Sequence, residues 1–300
     1  MTSGISKYII SDLGSLENKK VVCLTLDLEE DYAARLTEPS YEGLEHIPDL
    51  VNFFKEWDIP LTCFVQGSLL ETHPAQIDQL SLLDVEFELH SYSHPAPKRN
   101  NSRFEIEKGK EAYRNFFGKD PMGYRAPLGV INDSDYQVLA WHGFKFDSSI
   151  FPSIRPGVFN NMRKPIKPYL LDSTGIIEFP ITVLSNLIRI PMSLSYLKLL
   201  GKPYLRLIKN YRLPTFIVFN FHLHDLFVLH SANKIPLKKF LLPQKLALNK
   251  IYKKQENNGL IILDQLITAF SQKGYMFYKL NDIYELIFEP IRNRCMNKTI

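Results

Sequence analysis

Short apolar runs that end on ionisable residues alternate along this chain with segments of helical spacing. That alternation limits the folds open to it. Residues 21–26 form a β-branched apolar run that ends at Asp27, as a buried parallel strand would. Helical spacing follows over 46–57, with Ile47, Leu50, Val51 and Phe54 on one face. Strands are expected at 61–65 and 85–89, with a helix over 74–83 between them. A long helix is expected over 102–117, where Ser102 and Glu105 have capping-box spacing. A short strand at 122–124, a helix over 133–141 and a strand at 144–146 continue the pattern. Residues 151–168 are rich in proline and asparagine and read as a loop. A strand at 176–179 precedes a basic amphipathic helix over 194–208, which Gly201 and Pro203 should split. The stretch 214–221 reads as a strand and 234–254 as basic and loop-like, with some helix. A helix over 259–272, a strand at 275–278 and a last helix from Asn281 or Asp282 to 286 complete the chain.

Repeated strand and helix predict an α/β fold with a parallel sheet or barrel. Its chemistry should lie at the C-terminal ends of the strands. The reading gives a mobile lead-in over 1–19, one domain over 20–290 and a basic tail over 291–300. The 300 residues carry a net charge of +4. Its distribution is uneven: residues 189–255 hold 13 Lys and Arg against one acid, Asp225, a local net of +12. The rest of the chain holds 23 basic and 31 acidic residues, a net of −8. Such a basic zone attracts anions. It lacks regular aromatic interleaving and any nucleic-acid module signature, so no nucleic-acid partner is expected. Three cysteines give no disulfide framework, and Cys23 and Cys63 read as small core residues. No secretory leader and no apolar run of membrane-spanning length is evident, which points to a cytoplasmic protein. The segment 194–209 suggests peripheral contact with the inner membrane face, or simply a cover for the barrel. The sequence does not set the oligomeric state.

The strand ends carry the chemistry. Asp27-Leu28-Glu29-Glu30-Asp31 follows the first strand, and His90-Ser91-Tyr92-Ser93-His94-Pro95 follows the third. Two histidines four residues apart are a chelating spacing on a helical turn. Two hydrogen-bonded loop histidines are the bland alternative. No glutamate follows the first histidine, so the general base must come from elsewhere. Four acids in five residues repel one another unless a cation or an arginine relieves them. Asp27 is best placed to point into a site. Arg125, fixed before Pro127, could hold a carboxylate ionised. Asp147 ends a strand before Ser148 and Ser149, as a site residue or a turn former. The last strand ends in His222-Leu223-His224-Asp225.

Together these motifs resemble the polysaccharide deacetylases of the NodB-homology class, carbohydrate esterase family four, over residues 21–225. The stretch 90–95 resembles the family's metal-binding motif, Arg125-Ala126-Pro127 its third motif, Phe146-Asp147-Ser148-Ser149 its fourth and Phe221-His222-Leu223-His224-Asp225 its last. The resemblance implies a deformed (β/α) barrel and a metal-dependent hydrolase that removes N- or O-acetyl groups from a sugar, polysaccharide or glycolipid intermediate. It also implies a divalent metal on Glu29, His90 and His94. Zinc is the first choice, and nickel, cobalt, manganese or iron suit the same ligands. Asp27 would be the base, held by Arg125, and His222 the acid, with Asp147 or Asp225 as its acidic partner. The first motif departs from the family's paired aspartates, so Glu30 and Asp31 stay open as ligands, and His224 as the acid. An amidase of a small cyclic imide or ureide and an inactive carbohydrate-binding relative are the rival readings.

Overall fold

A strand buried on both faces must be apolar at almost every position. The nine residues Lys20–Leu28 meet that demand: all but Lys20 are buried, and Asp27 is the single charged residue among the buried ones. The computed structural model describes residues 7–9, 19–32, 40–95, 102–235, 238, 242–253 and 258–290. Its strands are β1 (Lys7–Ile9), β2 (Lys20–Leu28), β3 (Leu61–Val65), β4 (Val85–Leu89), β5 (Gly123–Tyr124), β6 (Phe146–Asp147), β7 (Ile154–Arg155), β8 (Phe159–Asn160), β9 (Tyr169–Leu171), β10 (Ile176–Glu178), β11 (Phe216–His222) and β12 (Tyr275–Phe277). The α-helices are α1 (Ile47–Trp57), α2 (Gly67–Thr72), α3 (Pro74–Leu80), α4 (Ser102–Phe117), α5 (Asp133–Trp141), α6 (Leu194–Leu200), α7 (Lys202–Asn210), α8 (Leu223–Leu226), α9 (Leu242–Leu248), α10 (Gly259–Gln272) and α11 (Leu280–Ile283).

The expected α/β barrel is present in deformed form. Strands run in the order β10-β6-β5-β4-β3-β2-β11, every neighbouring pair parallel. Between β10 and β11 there is no ladder among the described residues. Thr182 spans that seam instead: its N–H donates to the Val218 carbonyl at 3.0 Å, and its Oγ1 accepts from the Val218 N–H at 2.9 Å. β9 and β1 extend the sheet outward from β10 as antiparallel strands. β12 pairs with the first three residues of β2. Part of the lead-in expected to be loose is therefore a strand, Lys7–Ile9. The rest of 1–18 and the tail 291–300 lie outside the described residues.

Alternation along the strands divides the molecule into two packed regions. Val22, Leu24 and Leu26 face the helical layer, with Phe54, Phe221 and Phe270. Val21 and Cys23 face the barrel interior with Phe64, Phe146, Phe179 and Val218, and α11 closes its lower end with Leu280 and Ile283. Cys23 and Cys63 are buried free thiols, as expected. Thr25 and Asp27 continue the inward-facing row of β2. The split of the basic helix falls at Gly201, which has a φ of +70° between α6 and α7. The apolar face of that pair is spent on the barrel: Leu194, Leu197, Tyr204 and Ile208 are buried. Those four positions are packed into the core, while Leu200 of the same segment stays exposed.

Candidate active site

The inward rows of β2, β4 and β11 end together. β2 delivers Asp27 and the loop after it Glu29; β4 leads into His90; β11 ends at His222, in register with Asp27. These side chains, with His94 and Arg125, share one cavity of about 460 Å3.

His90 Nε2 and His94 Nε2 converge on a single Glu29 oxygen, Oε2, at 3.1 and 2.7 Å. The Nδ1–H of His90 donates to the Arg125 carbonyl at 2.8 Å. In the neutral ring that hydrogen bond leaves the Nε2 lone pair available to a metal; in the imidazolium, Nε2–H donates to Glu29. Two imidazoles with one carboxylate are a three-ligand set for a divalent metal, and the backbone carbonyl on Nδ1 orients the His90 ring for that role. The donor set fits such an ion. Ligand atoms of a second group, Glu29 with His222 and His224, also lie within 4.8 Å of one another. The two alternative acids are differently placed. Asp31 accepts from Ser40 Oγ and from the N–H groups of Glu42 and Gly43 at 2.7 to 3.0 Å, anchoring the loop before α1. Burial, with Asp31 beside it, pushes the Glu30 carboxyl up to about 7.

Arg125 is buried and every branch of its guanidinium is engaged. It donates to Asp27 Oδ1 at 2.5 Å, Thr25 Oγ1 at 2.9 Å, and the carbonyl and Oγ of Ser148 at 2.8 Å, and it lies over the Phe64 ring. Burial works to raise the Asp27 carboxyl. The charges of Arg125, His90 and His222 outweigh it and hold Asp27 well below the ordinary carboxylate range. His222 Nε2 lies 3.5 Å from Asp27 Oδ2, and its Nδ1–H donates to Asp225 Oδ2 at 2.8 Å. Burial disfavours the imidazolium, but Asp225 and Asp27 raise it to about 9. Asp225 is held in turn by Ser195 Oγ at 2.7 Å. His224 stacks on His222 with ring centroids 4.6 Å apart and stands edge-on to Tyr252.

Asp147 lies within electrostatic reach of Arg125 but, among the described residues, makes no hydrogen bond or ion pair with His222, so the structure favours the other expected partner of the acid. The acidic partner of His222 is Asp225, three residues on, fixed by the turn into α8. The Asp147 carboxylate instead accepts from the Ser149 N–H and Oγ at 2.8 and 2.7 Å. Ser149 Oγ accepts from the Ala126 N–H at 2.7 Å, so Asp147 steadies the loop that carries Arg125.

Sequence reading missed Glu105. Its spacing from Ser102 suggested a capping box, yet its carboxylate points away from that turn. Oε2 accepts from Ser91 Oγ, Tyr92 N–H and Ser93 N–H at 2.7, 3.0 and 2.7 Å, and Oε1 from Ser93 Oγ at 2.7 Å. Ser102 Oγ donates to Asp135 instead. Glu105 thus cages the three residues between the two histidines. Ser91 and His94 have φ of +63° and +52°, a conformation that non-glycine residues hold only when their surroundings enforce it. Gly67 closes the cage: its N–H donates to the Ser91 carbonyl at 2.9 Å, and a Cβ there would stand 3.0 Å from the Gly109 Cα.

Residues 16–146 match the family model of polysaccharide deacetylase. The peptidoglycan deacetylase of Helicobacter pylori is 31% identical over 124 residues, 40% of this chain and 42% of that protein. The match spans about two fifths of that relative's length. Among solved structures, the Bc1960 peptidoglycan N-acetylglucosamine deacetylase superposes with a TM-score of 0.52 at 16% identity over 89% of each chain. A CE4 family pseudoenzyme from Bacillus anthracis superposes with a TM-score of 0.51 at 14% identity, over 89% of this chain and 66% of that one. These two are likenesses of fold.

Proposed function

We propose, from the premise that this chain carries a polysaccharide deacetylase domain over residues 16–146, that it hydrolyses the N-acetyl group of a sugar in a metal-dependent reaction. One observation carries the reading. Two opposed charge pairs, Asp27 with Arg125 and His222 with Asp225, flank Glu29, His90 and His94 in one cavity. Glu29, His90 and His94 would hold the ion, zinc by preference. When bound, such an ion polarises a carbonyl and makes water acidic enough to be deprotonated near neutral pH.

Everything else is the work of this chain's own groups. Asp27 is ionised because Arg125 holds it so, and it accepts a proton from the attacking water. His222 is protonated because Asp225 and Asp27 favour the cation, and its Nε2–H gives that proton to the departing nitrogen. The carbon–nitrogen bond breaks, water supplies the oxygen, and acetate and an amine leave. Each transfer is worth ~10²–10⁴ in rate. We place the reaction in the cytoplasm, in keeping with the two buried free thiols.

The test is elemental analysis of the purified, tag-free protein beside a His90→Ala/His94→Ala double variant, followed by assay for acetate. One equivalent of transition metal in the parent and none in the variant, with acetate released from acetylated amino-sugar oligomers, is expected. Equal metal in both proteins would refute the ligand set. Ring opening of a cyclic imide without acetate release would replace deacetylation by the amidase reading.

A further inference from the structure

The catalytic groups account for only part of the cavity. At about 460 Å3 it falls in the range of small-molecule pockets, larger than an acetyl group needs. Two carboxylates line it, Asp27 and Glu29, and both face cationic or metal-ligating partners. Arg155, at the tip of the β7–β8 hairpin, lines it as well. Among the described residues no carboxylate pairs with the Arg155 guanidinium and no acceptor takes a hydrogen bond from it. Its charge is felt at the hydroxyls of Tyr32 and Tyr196, two other wall residues, where it opposes the effect of burial.

A second wall residue is also short of a partner. Asn220 is 1% exposed, and its Nδ2 has no hydrogen-bond partner among the described residues. It lies two residues before His222 on β11, hence on the same inward face. A buried amide donor left unpaired is costly unless a ligand takes it up. A planar guanidinium with no anion among the described residues and an amide donor with no acceptor there describe a receptor for a multiply charged oxyanion.

We propose that the substrate is an N-acetyl sugar bearing a phosphate, and that Arg155 holds that phosphate while Asn220 donates to a neighbouring oxygen. This rests on the deacetylase reading and adds the charge of its substrate. A free sugar phosphate and a lipid-linked sugar phosphate present the same chemistry, so both are used as probes.

The experiment compares acetate release by the metal-loaded enzyme from N-acetylglucosamine 1-phosphate, from its prenyl-linked phosphodiester in detergent, and from neutral N-acetylglucosamine oligomers. Wild type and Arg155→Gln are assayed side by side. A wild-type preference in kcat/KM for a phosphorylated substrate is expected, shrinking ~10- to 100-fold in the variant, as loss of a charged hydrogen bond would give. Asn220→Ala is expected to raise KM for the phosphorylated probes, with kcat changed less. The better of the two phosphorylated probes identifies the source of the phosphate. A neutral oligomer that is the best substrate in both proteins overturns the proposal and leaves deacetylation standing. Acetate from none of the three defeats the deacetylase reading. Calorimetric titration of the sugar phosphate then decides on Arg155 alone: binding lost in Arg155→Gln supports its role, and equal binding or none overturns it.

Discussion

Asp225 decides how firmly His222 keeps its proton. Burial alone would lower the imidazole, yet with Asp225 at 2.8 Å and Asp27 beyond, it rises to about 9. A group that must be protonated to act supports activity below that value, and the activity is lost as pH rises through it. In Asp225→Asn the main raising charge is gone, so the alkaline limb of kcat/KM should move down toward the ordinary imidazole range. Above the new limb the rate falls ~10-fold per pH unit. A limb that does not move would mean that some other group is the acid. Glu105 works on the opposite wall. It takes four hydrogen bonds from residues 91–93, and Glu105→Gln turns an amide N–H₂ toward at least one of those donors. We expect metal affinity to drop ~10- to 100-fold in a competition titration against a chromophoric chelator. Affinity equal to wild type would make the cage incidental. The histidines and Asp27 were legible because they sit where apolar strands stop. Glu105 was not, because a glutamate three residues into a helix reads as a cap, and its partners lie ten or more residues upstream.

At the scale of elements, α8 and α10 fix the acid pair. α8 begins directly after His222 and carries Asp225, and the start of α10 packs against it. The contact is too close for a side chain. A Cβ on Gly259 would lie 2.2 Å from the Asp225 carbonyl oxygen and 2.5 Å from the Leu226 Cα, both backbone atoms. Gly259→Ala must therefore push α10 from α8, at a cost of ~1–3 kcal/mol or more in unfolding free energy. Denaturant titration should report that loss, along with a fall in kcat as Asp225 shifts from His222. Wild-type stability would mean the helices slide apart freely. Elements with long, clear periodicity were read with the bounds they have, α4 at 102–117 and α10 at 259–272. Those missed were short. α2 has six residues and β9 three, and the β7–β8 hairpin pairs two residues with two, too few for any periodicity to register.

The whole molecule is a barrel that holds its buried acids in two opposite ways. At the upper end, Asp27 and Asp225 are held ionised, so the stability they lend is lost only as pH falls below the ordinary carboxylate value of 3.8. That end was readable from sequence, since its acids close apolar strands. The lower end was not, because Glu86 and Glu88 lie within a run read only as a strand, and their shared environment forms when α11 closes the barrel. Thr62 Oγ1 donates to Glu86 Oε1 at 2.7 Å, and the Asn281 N–H and Nδ2 donate to Glu86 and Glu88. Burial pushes Glu86 up to about 7, and burial with Glu86 alongside raises Glu88 further from its usual range. A carboxyl raised in the folded state binds more protons there than in the unfolded chain. Stability is then full below the unfolded value of 4.5 and declines as pH climbs toward 7. The melting temperature should accordingly fall from pH 5 to pH 7.5, and fall less in Glu86→Gln, which keeps an acceptor for Thr62 but never ionises. Metal loading also varies with pH, but it acts on wild type and variant alike, so the difference between the two slopes isolates the lower end. Parallel slopes would mean that these glutamates are ionised at neutral pH and that the floor of the barrel carries their charge.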